Sequence, residues 1–138
     1  VILASFIPMI MDTGGNSGAQ SSTMIIRGLA LGEVKPNDIL KVIWKELRVG
    51  ILVGIVLSSV NFIRLLVLVK VDTFIALTVS ITLMLTVVVA KLVGGTLPLA
   101  AKKVKLDPAI MTSPLITTIV DAVALLLYFR FATILLGI

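Results

Sequence analysis

The chain has 138 residues and a formal net charge of +5, with 59% hydrophobic and 14% charged residues and neither cysteine nor histidine. An ordinary soluble domain carries roughly 45–50% apolar and about 25% charged residues, and the mean hydropathy of +1.21 excludes that class in favour of an integral membrane α-helical protein. Without cysteine there is no disulfide or thiolate chemistry, and without histidine as well the usual donors for zinc, copper and iron–sulfur are gone, so any metal handled here meets oxygen. The basic residues, a nucleic-acid signal in a soluble protein, cluster at the ends of apolar runs; they are read as topology signals and no nucleic-acid partner is expected.

The first segment, about 1–31, opens apolar (VILASFIPMIM), turns small and polar from Asp12 to Thr23, and closes at Arg27. Pro8 and the Gly14-Gly15 pair predict a break or a close-packed kink near Gly14. Gly14 and Gly18 have the small-xxx-small spacing that lets helices approach. At about 100° per residue, Ser5, Asp12, Asn16, Gln20, Thr23 and Arg27 fall within an arc of about 80°. Polar groups facing lipid are costly, so this stripe is expected to face water.

A hydrophilic connector follows, with Arg27, Lys35, Lys41, Lys45 and Arg48 set against Glu33, Asp38 and Glu46. Lys35-Pro36-Asn37-Asp38 reads as a turn, with Asn37 or Asp38 capping a short amphipathic helix and Trp44 at headgroup level. The second span is expected over about 47–66, with Gly50 and Gly54 again at packing distance, and Arg64 and Lys70 at its far end. The third covers about 72–97; Gly94-Gly95 and Pro98 are expected to end it, and its threonines can bond their own helix backbone. Lys102, Lys103 and Lys105 then precede Asp107-Pro108, which opens the last span at about 107–137. The acids Glu33, Asp38, Glu46 and Asp72 are read as solvated charges without a special role.

Counting Lys and Arg places the two basic connectors, the second taken to include Lys91, in the cytoplasm and the C-terminus outside. The chain is thus read as a multi-pass protein of the plasma (inner) membrane. It begins at Val1 directly in apolar sequence, so an upstream span is expected.

The last span holds PLITTIVDAVALLLYF, nearly all apolar, with Asp121 inside it. An intramembrane carboxylate is expensive and marks a functional site by default. Ser113, Thr117, Asp121, Ala124 and Tyr128 fall within an arc of about 80°, a second oxygen-bearing stripe. Two such stripes facing each other enclose a hydrophilic path suited to a hard cation. Mg²⁺ sheds water reluctantly, so one or two carboxylates touching a largely hydrated ion suffice. Na⁺ or H⁺ coupling would use similar residues. The plainer alternative is Asp121 protonated and bonded to a neighbouring helix, or paired with a base such as Arg27. An enzyme is not expected, because there is no nucleophile–base pair and no HExxH; an intramembrane aspartyl protease would need two facing aspartates, which Asp12 and Asp121 could only imitate.

FIPMIMDTGGNSGAQSSTMIIRGLALGEV resembles the second membrane helix of the MgtE family of magnesium channels, and LDPAIMTSPLITTIVDAVALLLYF resembles that family's last helix. The resemblance implies a homodimer in the lipid bilayer, with this chain matching helices two to five of a five-helix domain. It implies a pore around the dimer axis lined by the second and last helices. It also implies Mg²⁺ held at mid-membrane by Asp121 with backbone oxygen near Thr117, and Asp107 near the cytoplasmic mouth. Asp12, Asn16 and Ser113 complete the candidate metal-site residues. Mn²⁺, Co²⁺ and Ni²⁺ take similar octahedral oxygen shells. The family's cytoplasmic regulatory domains have no counterpart in this sequence.

Overall fold

In the computed structural model, which describes residues 1–110 and 113–138, four long helices carry the architecture among the described residues. Helix α1 spans Ile7–Ala30, with Pro8 in its first turn, where a missing N–H costs nothing. The helix runs unbroken through Gly14-Gly15, and the close packing expected there is present. A methyl group on Gly14 would stand 2.6 Å from Thr86 Cγ2 and 2.8 Å from Val120 Cγ1. The helix stops where Gly32 takes a left-handed conformation (φ 75°) and the Glu33 amide turns back to the Gly28 carbonyl at 2.9 Å, a Schellman-type stop.

Helix α2 spans Ile39–Arg64. The turn before it, Pro36–Asp38, is closed by the Asp38 carboxylate accepting from the Lys35 amide at 3.0 Å. The amphipathic start and the apolar run are one continuous helix, with no boundary near residue 47. It unwinds through a wide turn, Leu65–Val69, to Lys70 at φ 58°. Asp72 is not an idle solvated charge: its side chain accepts from the Phe74 amide at 3.0 Å and caps helix α3, Thr73–Lys103.

Gly94-Gly95 and Pro98 do not end α3, which runs through both to Lys103. Proline removes one hydrogen bond from the helix interior, but Pro98 is buried in the bundle, and packing on neighbouring helices holds the backbone helical past it. Lys91 therefore lies within α3, 7% exposed, rather than in the basic connector. Helix α4 spans Ser113–Leu136.

Helix α3 is the centre of the bundle. Helices α1, α2 and α4 all pack on it, and α1 also packs on α4. The core lies in three patches along the bundle. Phe6, Ile10, Leu65, Ala76, Val79, Ala124 and Tyr128 form one end. Ala90, Ile116 and Val120 form the middle, and Ile25, Val42 and Leu99 the other end. Much of the surface outside these patches is apolar. Along α2, Leu52, Val56, Val60 and Ile63 stand exposed. Three helical stretches, Pro36–Val69, Thr73–Lys103 and Ser113–Leu136, are long and apolar enough to cross a membrane. The 24 residues of α1 would reach about 36 Å, the length of a bilayer core or more, but its polar run makes it less apolar than the others. The chain is an all-α, polytopic transmembrane helix bundle.

Candidate functional site

The pairing of α1 with α4 sets the site. The Tyr128 hydroxyl donates to the Leu3 carbonyl at 2.8 Å, Ile10 shares a core patch with Ala124, and Gly18 lies against Ile116. Rising numbers on α1 meet falling numbers on α4, so the helices are antiparallel. That register puts Asp12 and Asn16, one turn apart on α1, opposite Thr117 and Asp121, one turn apart on α4.

These four side chains, with Met11 and Gly15, line an open cleft of about 250 Å³. Its size exceeds many times the ~30 Å³ share of one liquid water. Asp12 is exposed and its Oδ2 accepts from Asn16 Nδ2 at 3.2 Å. Asp121 is half-buried, and its Oδ1 is fully buried with no hydrogen-bond donor among the described residues. Leaving a buried acceptor unsatisfied costs about 1–3 kcal/mol, and more for a charged group. No group of three or more acidic side chains capable of caging a metal forms among the described residues. The donor set is therefore two carboxylates, an amide and a hydroxyl in an open cleft, which suits a cation that keeps most of its own water.

The remaining candidates stand elsewhere. Ser113 is exposed at the first residue of α4 and is not part of the cleft lining. Asp107 lies in a separate surface hollow with Lys102, Lys105, Leu106 and Pro108, and its Oδ1 accepts from the Ala109 amide at 3.0 Å. The sequence-level stripe on α4 divides, because Ala124 and Tyr128 turn into the core with α1 while Thr117 and Asp121 face the cleft. The stripe on α1 stays whole: Ser5, Asp12, Asn16, Gln20, Thr23 and Arg27 are all exposed. Arg27 is no partner for Asp121, being 15 residues beyond Asp12, which is about 22 Å along the helix.

Two features escaped the sequence reading. Gly15 belongs to the cleft, and a methyl there would stand 3.3 Å from Thr117 Cγ2; the glycine pair was the available signal. Glu46 is not solvated. It is 3% exposed and accepts from Ser21 Oγ at 2.8 Å. Its place in a stretch rich in lysine and arginine hid this, although its position four residues before Gly50, on the packing face of α2, was the visible cue.

A helical membrane bundle with two carboxylates set into a polar cleft between two of its helices has the donor chemistry to meet a cation. Comparison with known proteins agrees: a family model described as MgtE, divalent cation transporter, matches residues 7–131, and the chain belongs to the MgtE family. It is 38% identical to a protein of Thermus thermophilus named magnesium transporter MgtE, over 97% of this chain and 29% of that protein. It is 37% identical to the protein of the same name from Bacillus subtilis, over 96% of this chain and 29% of that protein. The chain thus spans less than a third of the length of the curated relatives it matches.

Proposed function

We propose that the chain carries Mg²⁺ across the plasma (inner) membrane, and that the cleft between α1 and α4 is one half of the path. The observation that carries this reading is the convergence of Asp12, Asn16, Thr117 and Asp121 in one cleft, with a buried carboxylate oxygen of Asp121 left without a donor. A cation is the natural complement to that oxygen. Family membership and the names of the relatives support Mg²⁺ as the cargo.

The other half of the path comes from a second copy of the chain. The polar stripe of α1 is exposed over its whole length in the single chain, and in a membrane such a face must meet water or protein. Two copies related by a two-fold axis bring two Asp121 carboxylates to one hydrated ion. Asp107 and Lys102 to Lys105 lie toward the cytoplasmic mouth, and the C-terminus lies outside.

The test is Mg²⁺ uptake into proteoliposomes by the wild type and by Asp121→Asn. Loss of uptake in the variant, with dimers still present on size-exclusion, is the expected outcome. Uptake that persists in Asp121→Asn overturns the assignment. The same vesicles under an imposed Na⁺ or pH gradient separate a channel, whose flux is indifferent to it, from an exchanger.

A further inference from the structure

Helix α3 meets α1 and α2 at consecutive residues. A methyl group on Gly94 would run into the Gly18 carbonyl oxygen of α1, and one on Gly95 would stand 2.7 Å from Glu46 Cγ of α2. The two glycines let both helices close on α3 at the same level. Glu46 then lies across Gly95, and its Oε2 accepts the hydrogen bond from Ser21 Oγ on α1 at 2.8 Å. The pair is sealed from solvent, with Ser21 2% and Glu46 3% exposed. Lys91, one turn before Gly95 on α3, is 7% exposed.

A carboxylate is a costly residue to bury, and an apolar side chain of the same size often serves stability as well or better. What the carboxylate adds is direction. Ser21 is nine residues beyond Asp12, which at about 100° per residue places it about 180° round α1 from the cleft-facing acid. A bond that holds the back of α1 therefore fixes which way its front faces.

We propose that the Glu46–Ser21 hydrogen bond is a positioning contact. From α2 it sets the rotation of α1 about its own axis and keeps Asp12 and Asn16 turned toward Thr117 and Asp121. The proposal rests on the reading of that cleft as the cation path.

The test uses two readouts. The first is Mg²⁺ uptake into proteoliposomes. The second is the rate at which a thiol reagent modifies Gln20→Cys, on the exposed stripe of α1, in a chain with no other cysteine. Ser21→Ala and Glu46→Leu are each expected to change the thiol rate and to slow maximal uptake by about two- to thirty-fold. The double variant is expected to be no slower than the slower single. Glu46→Gln, which keeps an acceptor oxygen, should match the parent in both readouts. Independent, additive losses, or an unchanged thiol rate in Glu46→Leu and Ser21→Ala, overturn the proposal. Should Glu46→Leu fail to fold, Ser21→Ala, which removes a single oxygen, decides it alone. If Asp121→Asn leaves uptake intact, the cleft reading fails, and the thiol rates still decide whether the bond orients α1.

Discussion

The two carboxylates in the cleft are held differently, and the difference orders the roles proposed for them. Asp12 is exposed and already shares an oxygen with Asn16 Nδ2 at 3.2 Å, so part of its charge is met by a neighbour on the same helix. Asp121 has a buried oxygen that no described side chain or amide serves. In metal titration of the purified domain, Asp121→Asn is therefore expected to weaken Mg²⁺ binding by roughly 10-fold or more, the scale on which ligand-supporting groups act. Asp12→Asn is expected to cost less; the reverse order would assign the principal ligand to α1. Glycine works at the same scale through space alone. At Gly94 a methyl group would meet the Gly18 carbonyl oxygen and come within 3.0 Å of the Gly18 Cα. Backbone cannot swing aside as a side chain can, so Gly94→Ala must part α1 from α3. A loss of about 1–3 kcal/mol is expected from such overpacking, read as a lower thermal midpoint in detergent.

At the scale of the helix, the pattern of polar residues sorted the elements only in part. On α1 every member of the predicted stripe is exposed, because period 3.6 is all that is needed to sort one side of a helix from the other. On α4 the same periodicity joined Thr117 and Asp121 to Ala124 and Tyr128, yet the latter two are buried against Phe6 and Ile10. A straight stripe cannot reveal that the partner helix covers one half of it and leaves the other open. Helix ends were misjudged for a related reason. Pro98 is a breaker by local propensity, but α3 is packed on three sides by its neighbours, and that packing holds it helical to Lys103. Burial of Glu46 has a local cue in its spacing from Gly50, but it also depends on Gly95 of α3 leaving room for it. The division of the α4 stripe has a direct test. The Tyr128 hydroxyl bonds the Leu3 carbonyl at 2.8 Å and so ties the start of the chain to α4 rather than lining the cleft. Tyr128→Phe is expected to cost about 0.5–1.5 kcal/mol of stability and to leave the Mg²⁺ affinity of the purified domain unchanged. A change in affinity with stability intact would return Tyr128 to the ion path.

For the whole molecule, the balance of exposed surfaces says what each side of the bundle meets. Val56 and Val60 of α2 are 55% and 63% exposed with apolar neighbours on either side, a face that only lipid or another apolar surface can cover. The exposed side of α1 carries Asp12, Asn16, Gln20 and Thr23 instead, and burying these in hydrocarbon would be prohibitive. One bundle thus has an apolar side and a polar side, and on the proposed reading the polar side is where a second copy encloses the path. The lack of any cysteine makes this contrast measurable residue by residue. Thiol modification by a charged reagent needs water and a thiolate, so Asn16→Cys and Gln20→Cys in reconstituted protein should react readily, while Val56→Cys and Val60→Cys should stay inert. Lysine makes the complementary probe: Val56→Lys is expected to cost about 2.5–3.5 kcal/mol of membrane insertion, whereas Gln20→Lys, on the polar side, should insert normally and slow Mg²⁺ flux by placing a positive charge along the proposed path. Equal reactivity of the two cysteine pairs, or equal insertion cost of the two lysines, would mean that α1 meets lipid as α2 does, and the path would have to be sought elsewhere in the bundle.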